Sequence, residues 1–198
     1  MSMAENLVLH PANLVQAQGV RWGAVSGALT GVAAGADVAA LVNLSAHPYA
    51  VSLWSLRFVS TVAFSSAQGL AYRVNKVTGF TAIHTTGGTA VQAHYKRQSQ
   101  VRGSATGDRV PLTELSGYIG ATGAISGATY TAEDTDEPDV FAVGAGSTLP
   151  GVYEDYAPRD GLCYVLEQNE GLVVNNQILM GASGVGNLFV GFDLYRMV

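Results

Sequence analysis

Apolar and polar positions alternate most regularly over residues 52–64. Trp54, Leu56, Phe58, Val62 and Phe64 share one parity, while Ser55, Arg57, Val59 and Thr61 share the other. A period of two marks a strand with one buried face. The same period returns over residues 188–194. There Leu188, Val190, Phe192 and Leu194 alternate with Phe189, Gly191 and Asp193. This segment is expected to lie inside a sheet with its even-numbered side chains buried. Residues 69–77 repeat the pattern in shorter form, with Leu70, Tyr72 and Val74 on one side. Further strands are predicted at 162–166, 171–175 and 178–180. Thr85-Thr86-Gly87-Gly88 reads as a hairpin turn between strands at 79–84 and 89–95.

Residues 20–44 carry Gly23, Gly27, Gly31 and Gly35. A helix there would lose roughly 1 kcal/mol at each glycine relative to alanine, so short strands and turns are predicted instead. The spacing of four resembles membrane small-xxx-small pairs, but the residues between are too weakly hydrophobic for that. Residues 98–107 are polar and read as an exposed loop, 112–118 as a short helical turn, and 141–152 as a turn-rich link. Residues 1–18, with a turn signal at His10 to Asn13, read as an N-terminal arm. Residues 19–198 then form one domain. Many short strands and hardly a helix place the chain in the all-β class, as an antiparallel β-sandwich of jelly-roll type.

Composition changes this picture in one respect. Charged residues make up 13% of the 198 residues, about half the usual share, and 24 residues are glycine. Such a chain either presents surfaces that meet other protein or is a monomeric β protein with many tight turns. The net charge of −5 gives no reason to expect nucleic-acid binding. Charge is nonetheless segregated: residues 57–109 hold seven bases and one acid, and 110–170 hold eleven acids and one base. Segregation of this kind steers like copies together, unless the fold interleaves the two segments and cancels it. No apolar run reaches the ~20 residues that span a bilayer, and the start lacks the basic head and apolar core of a signal peptide. The chain reads as made in the cytoplasm, with no membrane partner.

Candidate chemistry is sparse. Cys163, the single cysteine, lies in an alternating apolar segment and reads as a small buried hydrophobe. His84 and His94 would face each other across the proposed hairpin, but no histidine pair has metal-ligand spacing. The acidic run Glu133-Asp134-Thr135-Asp136-Glu137-Pro138-Asp139 is oxygen-rich, yet it lacks the spacing and central glycine of a calcium loop. It reads as a solvated loop or as a contact for a basic patch. Neither a nucleophile elbow nor a phosphate loop occurs, and no cofactor is expected. Tyr153, Glu154, Asp155 and Tyr156 read as a loop whose tyrosines either contact a partner or cover a core edge. With Glu133, Asp134 and Asp136 they are the candidate contact residues.

Two blocks carry a resemblance. One runs Val165-Leu166-Glu167-Gln168-Asn169-Glu170-Gly171-Leu172-Val173-Val174, passes a Gly/Ala-rich turn, and continues Leu188-Phe189-Val190-Gly191-Phe192-Asp193-Leu194. The other is Trp54-Ser55-Leu56-Arg57-Phe58, then residues 63–77 and Thr78-Gly79-Phe80-Thr81-Ala82. Together they resemble the small jelly-roll decoration and cement proteins of tailed bacteriophages. The resemblance implies a virion structural protein on the capsid surface. It would be a homotrimer, bound across joints between major capsid protein subunits. The arm would anchor it by adding a strand to an exposed sheet edge. Two other readings stand beside this one. The chain could be a head-fibre or tail-tip module recognising a host surface glycan through Tyr153, Tyr156 and the acidic loop. A hydrolase using His84 or His94 with Glu133 or Asp134 has the least support, so no enzyme is expected.

Overall fold

The computed structural model describes residues 18–64, 68–95, 109–133, 139–145, 150–156 and 164–197. The strands are β1 (Gln18–Val25), β2 (Asp37–Asn43), β3 (Tyr49–Val62), β4 (Gln68–Thr78), β5 (Gly88–Val91), β6 (His94–Tyr95) and β7 (Leu115–Gly120). They continue as β8 (Ala132–Glu133), β9 (Asp139–Ala145), β10 (Pro150–Tyr156), β11 (Tyr164–Leu166), β12 (Glu170–Asn176) and β13 (Val185–Arg196). No helix occurs among the described residues, so none is long and apolar enough to cross a membrane.

The strands form two antiparallel sheets. Sheet A runs β10–β3–β13–β1–β6, with β11 also paired to β3. Sheet B runs β5–β7–β2–β12–β4–β8, with β9 also paired to β4. The chain is therefore an all-β sandwich. The core lies between the sheets: Val20 and Trp22 of β1, Leu56 and Phe58 of β3 and the even residues of β13 meet Leu41, Leu70, Tyr72, Leu115 and Leu172 of sheet B. The Phe58 and Tyr72 rings meet across the gap at 6.0 Å. Trp22 stacks on Phe192 at 5.5 Å, and its indole N–H donates to the Val91 carbonyl at 2.9 Å. A buried indole thereby keeps its hydrogen bond. Gly117 of β7 makes room for that ring, since a Cβ there would lie 1.9 Å from Trp22 Nε1.

Sheet B is covered on both faces, which explains why β2 (DVAALVN) is an unbroken apolar run rather than an alternating one. Ala40, Val42, Val77 and Val173 face away from the main core and pack beneath Phe80 and Ile125. The cover is a ribbon of residues 79–87 and 124–131, held together by bridges Ala82–Thr129 and Thr86–Ser126. Buried asparagines tie loops to strand ends. Asn176 Nδ2 donates to the carbonyls of Val32, Ala33 and Ile178, and Asn43 Nδ2 to those of His47 and Leu166.

Several expectations need correction. The 79–95 hairpin does not form: Gly87 does turn, at φ +81°, but β5 pairs with β7 and residues 79–84 bridge to 129. Of the turn-rich link expected within 141–152, residues 141–145 belong to β9 and 150–152 to β10, and residues 146–149 lie outside the described residues. Tyr153 to Tyr156 are strand, not loop. The helical turn over 112–118 shrinks to a turn at Pro111–Glu114, after which β7 begins. Residues 178–180 are no strand, and Ile178 and Leu179 are exposed. Val62, placed with the core by parity, is exposed because the β3–β13 register shifts at Val185/Gly186. Of the proposed arm, Gln18 already belongs to β1, and residues 1–17 lie outside the described residues. Cys163, Asp134 and Asp136 lie outside them too.

Candidate functional site

The outward face of sheet A is the broad surface left uncovered by the ribbon. Its character follows from register, because residues directly opposite in an antiparallel pair share a face. One row runs Val25–Phe189–Arg57–Tyr153, the next Gly23–Gly191–Ser55–Asp155, and a third Arg21–Asp193–Leu53. Val25 and Phe189 are exposed. The Arg57 guanidinium lies over the Phe189 ring, 5.8 Å from its centroid, and Arg21 Nε lies 3.8 Å from Asp193 Oδ1. Both contacts are at the surface and contribute well under 1 kcal/mol each. The face combines the exposed apolar side chains of Val25 and Phe189, the exposed backbone of Gly23 and a few balanced charges.

The candidate contact residues divide. Tyr153 and Asp155 stand at register positions opposite Arg57 and Ser55, on the rows just described, whereas Glu154 and Tyr156 stand opposite the core residues Leu56 and Trp54. Glu133 belongs to β8, opposite Val77 in the other sheet. Glu133 and Asp139, the two ends of the acidic run, thus belong to sheet B and the tyrosine segment to sheet A, while Asp134 and Asp136 lie outside the described residues.

The histidines separate as well. His94 lies in β6, opposite Arg21 in sheet A, while His84 sits under the ribbon on sheet B. The acid beside His84 is Asp37, at the first residue of β2: His84 Nε2 and Asp37 Oδ2 are 2.9 Å apart. Neither Glu133 nor Asp134 takes that place, and sequence spacing carried no sign of a partner 47 positions away. His84 is 2% exposed, its ring meets Phe80 edge-on at 6.5 Å, and its Nδ1 is buried without a partner. One ring nitrogen is committed to the carboxylate and the other is enclosed, so the imidazole offers no accessible base to a substrate in solution.

A second polar cluster joins the sheets where β3 begins and β13 ends. The Tyr49 hydroxyl donates to Glu114 Oε1 at 2.5 Å, and Arg196 Nε lies 3.7 Å from the same oxygen. Burial, then the hydrogen bond to Glu114, pushes the Tyr49 phenol far above its ordinary range. Burial first and Glu114 second raise Tyr95 too, against the opposing Arg196. This cluster clasps the turn before β7 to sheet A. Charge segregation along the chain is partly cancelled by the fold, as Lys76 of β4 pairs with Glu170 of β12 at 2.8 Å. Among the described residues no three histidine, cysteine or acidic side chains converge to hold a metal. Comparison of the chain with protein-family models, with curated proteins and with solved structures found no match.

Proposed function

We propose that this chain is a virion structural protein that decorates or cements a tailed-phage capsid, binding as a homotrimer across major capsid protein subunits. The observation that carries the reading is the strand order. Four central strands of sheet A run β1–β13–β3–β10, and four of sheet B run β2–β12–β4–β9. Strands β1 to β4 alternate between the sheets, and the last two strands return to sit between earlier ones. We read this order as two Greek keys rolled together, and it supports the jelly-roll arrangement that capsid proteins use. It agrees with the decoration-protein resemblance of residues 165–194 and 54–82. The uncovered face of sheet A, with Val25 and Phe189 exposed beside glycines, supplies a surface fit for a protein partner.

The test is direct. The purified protein should have a solution mass of about 62 kDa, for three chains of 20.6 kDa. It should also bind capsids assembled without it. A stable monomer that never binds such shells overturns the proposal. One observation favours a second reading. The Phe189 ring with the Arg57 guanidinium over it offers an aromatic and a polar group to a sugar ring, Tyr153 and Asp155 stand at neighbouring register positions, and jelly rolls also serve as lectins. A glycan array settles that alternative. Binding that is lost in Phe189→Ala supports it, and no bound sugar ends it.

A further inference from the structure

The ribbon over sheet B leaves a pocket of about 410 Å³ whose lining includes Asp37, His84, Ser126, Thr129 and Tyr130. Three features define what it accepts. Asp37 is a carboxylate with its side chain 13% exposed, and among the described residues no lysine or arginine pairs with it. His84 bonds one carboxylate oxygen, Oδ2, so the other is left for the pocket. Three backbone donors of the rim are already spent: Ile125 N bonds Asp37 O, Ser126 N bonds Thr86 O, and Thr129 N bonds Ala82 O.

A pocket that presents a carboxylate oxygen beside hydroxyl-bearing side chains is complementary to a cation rich in donors. A hard divalent ion fits poorly, because calcium takes six to eight oxygens and the lining holds a single carboxylate. The Tyr130 ring in the lining suits an organic cation better. We propose that this pocket seats an alkylammonium or guanidinium group, carried on a lysine or arginine side chain of a partner protein or on a free amine. Asp37 makes the contact. His84 is the positioning residue that fixes the carboxylate from behind, which gives this buried pair a purpose beyond packing. The inference is independent of the virion reading, since it rests on sheet B and not on sheet A.

The experiment is a titration of the full chain followed by amide chemical shifts, with butylammonium, methylguanidinium and a blocked Gly-Lys-Gly tripeptide as probes. Tetramethylammonium, of equal charge but without N–H donors, is the control. Saturable shifts at Ser126, Gly127 and Thr129 with the N–H cations, weakened about tenfold or more in Asp37→Asn, are expected. Tighter binding of the tripeptide than of butylammonium identifies a side chain as the occupant, and equal binding identifies a free amine. Thr129→Lys, on the exposed rim, keeps Asp37 and should block the probes by occupying the pocket itself, so the idea stays testable if Asp37→Asn fails to fold. Absence of saturable shifts, shifts unchanged in both variants, equal response to tetramethylammonium, or preference for calcium or magnesium would overturn the assignment.

Discussion

Phe192 and Phe189 lie three positions apart on β13 and differ in the face they occupy, so truncating each to alanine measures what the sandwich core contributes. Phe192 is 0% exposed and stacks on Trp22 with ring planes 13° apart. Removing a fully buried phenylalanine ring costs about 3–5 kcal/mol through lost transfer energy and the cavity left behind. Phe189 is 37% exposed, and the Arg57 guanidinium lies over its ring. Its loss should cost less than about 1 kcal/mol. For a domain of this size each kcal/mol moves the melting temperature by about 2–4 °C. Phe192→Ala should therefore lower it by about 6–20 °C and Phe189→Ala by no more than about 4 °C.

Urea unfolding followed by both tryptophan fluorescence and circular dichroism is the assay, since coincident transitions license a two-state ΔG. Trp22 lies against the altered ring and reports the same region directly. A domain with the usual ~5–15 kcal/mol of stability could be largely unfolded by the larger loss. Phe192→Leu, at about 1–2 kcal/mol, keeps the comparison measurable in that case. If Phe189→Ala proves as damaging as Phe192→Ala, β13 does not present its even residues to the core and the sandwich described here is wrong.

Three further outcomes follow from single contacts. Gly186→Ala would place a Cβ 2.1 Å from Phe58 Cζ, so it should cost about 1–3 kcal/mol in urea unfolding, with part of the loss restored when Phe58→Leu is added. The Tyr72 hydroxyl is buried without a partner, so Tyr72→Phe should raise stability by about 1 kcal/mol; a loss instead would mean the hydroxyl is bonded. Burial holds the Tyr49 and Tyr72 phenols far above their ordinary pKa of 10, so the folded chain keeps protons that the unfolded chain releases. Stability is then full below pH ~10 and falls above it by about 1.4 kcal/mol per pH unit for each of these tyrosines, and urea midpoints between pH 9 and 11 should flatten in Tyr72→Phe by one group's share.

The strands that could be read from the chain are those whose burial is one-sided and whose partners confirm the pattern. Trp54, Leu56 and Phe58 of β3 and Leu188, Val190, Phe192 and Leu194 of β13 are buried as alternation predicts, and these two strands are neighbours in the sheet. Hydrophobic period is a local signal, and here it was sufficient. Strand β10 was hidden because proline, glycine and acidic residues dominate it, and β9 because its short apolar run does not alternate; what orders both is pairing with β3 and β4 far back in the chain. Residues 178–180 are apolar but have no sheet neighbour, which no local pattern could reveal. The turn at Gly87 was legible, while the partner of the strand after it was not, because β7 follows 24 residues beyond β5. The Asp37–His84 pair was invisible for the same reason: an acid opening an apolar run and a lone histidine become one unit only when the ribbon folds over β2.

That ribbon also decides which surfaces remain for partners. The chain between β4 and β9 supplies β5 and β7 to one end of sheet B, β6 to one end of sheet A, and the cover that buries Phe80 and Ile125. Sheet B is thereby covered on both faces, and the pocket at Asp37 lies in that cover. Among the described residues sheet A has no such cover, and its outward rows keep Val25 and Phe189 at the surface. The two surfaces belong to different sheets and are built by different parts of the chain. Substitution at Phe189 should therefore alter shell or glycan binding and leave cation binding intact, while Asp37→Asn should do the reverse. Loss of both functions from either single change would mean that the sheets are coupled through the core that Trp22 and Phe192 share.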